Sequence, residues 1–97
     1  LASVPRITHD ALTVALDNGV TLEVRAASAS EYAFTWQVGE LTLRIDTAPM
    51  HPQLATFPHH LHDRHGLPCA DPLTDPGRPL WENTHAVVAR LLIEPLC

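Results

Sequence analysis

Between residues 12 and 45 apolar and polar side chains alternate with period two, and no other feature of this chain constrains the fold as much. Leu12, Val14 and Leu16 form a first apolar set. Val20, Leu22, Val24 and Ala26 form a second. Tyr32, Phe34, Trp36 and Val38 form a third, and Leu41, Leu43 and Ile45 a fourth. A period of two places each set on one face of a strand. Asp17-Asn18-Gly19 supplies a tight turn after the first set, because Asn-Gly readily takes positive φ. Gly39-Glu40 supplies another, and residues 27–31 make a longer connector. Short turns imply antiparallel neighbours, so the pattern predicts two hairpins joined as a four-stranded antiparallel meander over residues 11–46.

A sheet with one apolar face needs a cover. The segment 80–94 predicts an amphipathic helix, with Trp81, Val88, Leu91 and Leu92 near one stripe and Val87 at its border. Asp75-Pro76-Gly77-Arg78-Pro79 marks its start and Pro95 its stop. Phe34, Trp36 and Trp81 are expected in the core. His85 is expected to be exposed or hydrogen-bonded rather than a ligand. The prediction is a single α+β domain over 1–97, with the sheet at 11–46, a loop at 47–79 and the helix at 80–94.

Composition excludes several classes. Ninety-seven residues suit one domain, and an apolar fraction of 45% argues against disorder. No apolar run reaches the roughly 20 residues that span a bilayer, and the first residues lack the pattern of a signal peptide. Cys69 and Cys97 are too few for a disulfide framework, which predicts a cytoplasmic protein. Six basic residues, all arginine, oppose eleven acidic ones, for a formal charge of −5. Such a chain is a poor nonspecific nucleic-acid binder unless histidines add charge locally. Glycine-rich phosphate loops, paired-cysteine zinc patterns and a serine nucleophile elbow are all missing.

The loop carries the chemistry. Five of seven histidines lie between His51 and His65, among Pro49, Pro52 and Pro58. Proline fixes φ and removes donors, so this run is expected to be neither helix nor central strand. Imidazole suits both proton transfer and metal ligation near neutral pH. Seven prolines across 46–79 reduce unfolded-state entropy and argue for a defined path.

The stretch Arg44-Ile45-Asp46-Thr47-Ala48-Pro49-Met50-His51-Pro52, with Thr56-Phe57-Pro58-His59-His60-Leu61-His62 after it, resembles the signature of the TumE-type toxins. These are the toxin halves of TumE–TumA toxin–antitoxin pairs. The family pattern is a strand ending in Tyr-Asp-Asn, then Pro-His-His, then Thr-Phe-Pro-His-His-Lys-His. Asp46, Pro49, His51, Pro52, Thr56, Phe57, Pro58, His59, His60 and His62 match it. Ile45 stands where the family has an aromatic, Thr47 where it has an amide, and Leu61 where it has a base. Loss of the amide and the base is expected to weaken a phosphate-facing site.

The resemblance implies a toxin with a cognate antitoxin as partner. The residues suggest a metal-independent ribonuclease without a cofactor, with Asp46, His51, His59, His60 and His62 as the catalytic group. Two imidazoles can act as general base and acid, Asp46 can orient one of them, and Arg44 or Arg64 can bind substrate phosphate. Two alternatives stand beside this. His59, His60, His62 and His65, with Asp46 or Asp63, could hold zinc or nickel, or the fold could act only by binding another protein. No membrane partner is expected, and the oligomeric state is left open.

Overall fold

The computed structural model describes residues 6–8, as backbone, and residues 11–96. The readings placed on the first five residues and on Cys97 lie outside the described residues. The four alternating sets each form a strand, and three further short strands join them. β1 spans Arg6–Thr8, β2 Ala11–Ala15, β3 Thr21–Ser28 and β4 Glu31–Val38. β5 spans Leu41–Asp46, β6 His60–His62 and β7 Pro68–Ala70. Helix α1, Leu80–Ile93, follows. All seven strands lie in one sheet in chain order, each antiparallel to the next.

The meander is therefore larger than the four strands expected. The turn Asp17-Asn18-Gly19 behaves as its residues require: Gly19 has φ +87°, and Leu16 N–H donates to the Val20 carbonyl at 2.9 Å. Pairing of β3 and β4 extends to Ser28↔Glu31 past an irregularity near Ala26, which leaves only Ala29 and Ser30 in a connector expected to be longer.

The histidine run corrects a second expectation, because β6 is an interior strand between β5 and β7. Proline excludes a strand only where it sits. His60-Leu61-His62 contains none, and all its backbone groups can join a ladder. Pro58 precedes β6, and Pro68 falls on β7, the last strand of the sheet, where a missing donor costs least.

The apolar face works as the alternation requires. Leu22, Phe34, Trp36, Leu43 and Ile45 are fully buried, and Leu61 of β6 joins them. The helix covers this face through Val87 and Leu91, both fully buried. Its stripe is thus rotated from the expected one. Trp81 is 70% exposed and Leu92 is exposed, so the expectation that Trp81 is core fails. The helix is oriented by polar contacts as well as by its apolar stripe. Buried Asn83 donates to the Asp75 carbonyl and accepts from the Asp75 N–H. At the other end Asn18 donates to the Leu91 carbonyl at 2.8 Å, and Trp36 Nε1–H to the Pro95 carbonyl at 2.8 Å. His85 is exposed on the helix.

Candidate functional site

On β5, Leu43 and Ile45 point into the core, so Arg44 and Asp46 must point to the opposite, open face. The register places Arg44 opposite His62, Ile45 opposite Leu61, and Asp46 opposite His60. Period two therefore delivers two imidazoles, a carboxylate and a guanidinium to one patch. His51 reaches the same patch from the loop after β5. Turns set its path: Met50 N–H donates to the Ala48 carbonyl and Leu54 N–H to the His51 carbonyl.

Distances within the patch are short. The ring centroids of His51 and His60 are 4.8 Å apart, those of His60 and His62 4.8 Å, and those of His51 and His62 5.9 Å. His60 Nε2 lies 3.0 Å from His62 Nε2 and 3.1 Å from Asp46 Oδ1. His60 is buried, and its Nδ1 faces the Pro58 carbonyl at 3.2 Å. Arg44 Nε donates to Asp46 Oδ2 at 2.8 Å, and Ala48 N–H donates to Asp46 Oδ1 at 3.0 Å.

These contacts shift proton affinities. Burial pushes the Asp46 carboxyl upward. Hydrogen bonds from Arg44 and the Ala48 N–H, with His60 beside it, outweigh that and hold it below its ordinary value. Burial and the neighbouring His60 lower the affinity of His62 against the opposing pull of Asp46, so its ring favours the neutral form.

His59 does not join this patch. Its Nδ1 pairs with Asp71 Oδ2 at 2.9 Å. Asp71 is fully enclosed and also accepts from the Leu73 and Thr74 N–H groups and the Thr74 hydroxyl. The Tyr32 hydroxyl meets Thr74 Oγ1 at 2.7 Å. Burial, assisted by the Asp71 and Asp75 carboxylates and opposed by the Thr74 hydrogen bond, pushes the Tyr32 phenol up to about 12. Arg64 and His65 sit exposed in the β6–β7 turn, where Asp63 Oδ1 accepts from the His65 and Leu67 N–H groups. Of the metal set His59, His60, His62 and His65, only His60 and His62 approach one another. His51, which the sequence places in the catalytic group and not in the metal set, stands with these two instead.

A depression of about 380 Å³ adjoins the patch on the open face, with Arg25, Ala33 and Arg44 in its lining. A larger hollow of about 710 Å³ lies on the helix side between Leu12, Val14, Leu80, Trp81 and Val88. It is almost wholly apolar and holds none of the patch residues.

A family model described as Toxin TumE matches residues 3–92. The chain belongs to the TumE toxin family. This family is one of toxins from toxin–antitoxin systems, so membership implies a cognate antitoxin in general terms. No curated protein and no solved structure matches the chain. The residues that match the TumE signature divide into two uses here. Asp46, His51, His60 and His62 build the open patch, whereas Thr56 and His59 tie the loop, through Thr56 Oγ1 to the His59 carbonyl at 2.7 Å and from the Asp71 N–H at 2.9 Å. None of the three departures from the signature points into the patch. Ile45 and Leu61 are buried core residues, and the Thr47 hydroxyl accepts from the Tyr32 N–H at 3.1 Å. Among the described residues, no helix is long and apolar enough to cross a membrane.

Proposed function

We propose that this TumE-family toxin acts as a ribonuclease at the patch formed by Asp46, His51, His60 and His62. The observation that supports this reading is the convergence of three imidazoles and a carboxylate on an otherwise polar sheet face, with Arg44 beside them. A phosphodiester needs charge stabilisation and an activated oxygen. Arg44 can meet a phosphate oxygen through the donors that Asp46 leaves unused. The imidazoles supply the activation, because they exchange protons or hold a cation near neutral pH. The depression between Arg25 and Arg44 gives the strand a place to lie next to the reacting phosphate. His59, Arg64 and His65 are left out of this reading, because His59 pairs with Asp71 and the other two are exposed in the β6–β7 turn. The antitoxin then neutralises by covering the open face, and the cytoplasm is the compartment where both RNA and antitoxin are met.

The direct test is cleavage of end-labelled single-stranded RNA by the purified chain. Cleavage that disappears in His51→Ala, and on addition of the protein encoded beside the toxin, supports the reading. Intact RNA together with undiminished growth arrest removes the ribonuclease activity and leaves a toxin that acts by binding.

A further inference from the structure

We infer that His51, His60 and His62 form a binding site for one divalent transition-metal ion of the zinc class. The inference concerns the site of the proposed reaction and does not depend on the substrate being RNA.

The argument begins with the proton on His60. A backbone carbonyl only accepts, so the contact between His60 Nδ1 and the Pro58 carbonyl at 3.2 Å assigns the ring proton to Nδ1. In the neutral ring, the form that binds a metal, Nε2 then carries the lone pair. It faces His62 Nε2 at 3.0 Å and the Asp46 carboxylate at 3.1 Å. Two ring nitrogens and a carboxylate oxygen converge inside the protein, and a third imidazole nitrogen, from His51, lies within 4.8 Å of the other two. A positive centre among them relieves that arrangement. A single shared proton serves two of these atoms, whereas a metal ion serves all three imidazoles together.

Two of the three nitrogens already stand near the spacing of metal ligands, at 3.0 Å for His60 and His62, and the His51 nitrogen lies within 4.8 Å of both. A zinc–nitrogen bond of about 2.0–2.1 Å at tetrahedral angles separates neighbouring ligand atoms by roughly 3.3 Å. The three rings stand at 74–81° to one another, as ligands around a point rather than as a stack. The surroundings have the character of an outer shell. A ligand imidazole normally donates its second nitrogen to a carbonyl or carboxylate, as His60 does to Pro58. Asp46, held by Arg44 and the Ala48 N–H, adds negative charge next to His60. Three protein ligands leave a coordination position for water or a phosphate oxygen, which is the pattern of reactive rather than structural zinc sites. This departs from the metal-free chemistry suggested by the sequence, and the ligand set departs from His59, His60, His62 and His65.

The test uses the whole chain after chelator treatment and removal of the chelator. Titration with Zn²⁺ by calorimetry should show one saturable site. Co²⁺ should give the visible bands of a tetrahedral nitrogen-coordinated ion. His51→Ala and His62→Gln each should weaken binding by about 100-fold or more and abolish the bands. His65→Ala should bind as the parent does. Both site variants change partly exposed residues, and circular dichroism verifies their fold. Absence of one-to-one binding, or folded variants that retain the parent cobalt spectrum, overturns the site. RNA cleavage that persists in chelator removes the metal from the reaction and leaves the ribonuclease reading. An intact cobalt spectrum without RNA cleavage does the reverse.

Discussion

His59 and His60 are adjacent in sequence and pair with different carboxylates in different surroundings. The His59–Asp71 pair is closed. Asp71 receives an imidazole, two backbone N–H groups and a hydroxyl, and its side chain has no exposure. The His60–Asp46 pair is open on one side to two more imidazoles and to the polar sheet face. One residue of displacement reverses the side of the strand, so a single dipeptide serves both a structural tie and the candidate patch. The two histidines look alike in sequence, and their roles follow from the partners that the register gives them.

The largest expected effect comes from separating those roles by activity. His60→Ala should reduce RNA cleavage or growth inhibition by at least about 100-fold, the usual scale for loss of a proton-transfer or cation-holding group. His59→Ala should retain activity per folded molecule and lose stability instead. Measurements at matched soluble protein concentration check this. Equal loss in both variants would erase the distinction.

The carboxylates should separate in the opposite direction. Asp71→Ala strands the His59 ring and three further donors in a buried site, and should cost about 3–5 kcal/mol. Asp46→Asn keeps an acceptor for Ala48 and loses a partly exposed ion pair with Arg44, so about 1 kcal/mol or less is expected. Urea unfolding of both variants gives the comparison.

Tyr32 offers a finer probe of the closed network. It is the single tyrosine of the chain, so ultraviolet titration reports on it alone. Its phenol is pushed up to about 12, whereas an unfolded phenol titrates near 10. Below pH 10 the proton is bound in both states and the stabilisation is complete. Between pH 10 and 12 only the unfolded chain releases it, so stability should fall by about 2–3 kcal/mol. Tyr32→Phe should remove that slope, and a native titration midpoint near 10 would show that Asp71 and Thr74 do not enclose the phenol.

The same contrast explains what could be read from the sequence. β2 to β5 were legible because each carries three or four alternating apolar residues, enough repeats for the period to be unmistakable. β6 carries one apolar residue, Leu61, between two histidines. Its pattern is a valid alternation, but three residues are too few to distinguish a strand from a turn. Asp46 and the histidines beside it were legible as a group because the strand end and the prolines restrict them. The division of His59 from His60 was not, since it depends on the β5–β6 register. The helix was found and its orientation missed. Trp81 outranks Val87 in apolar area, yet the Asn83 contacts with Asp75 and the Asn18 contact with Leu91 turn the smaller side chain inward.

Because the sheet is ordered as the chain is, each strand can pair as soon as it follows its neighbour out of the ribosome, and the longest loop to close between successive strands is residues 47–59, before β6. Asp46 and Arg44 arrive early. They remain without their imidazole neighbours until residues 60–62 emerge and zip onto β5. A chain interrupted during synthesis before that point carries the carboxylate and the guanidinium without the paired imidazoles, whatever fraction of the sheet it has built. The patch is assembled among the last strands added, and the helix that seals the other face comes later still.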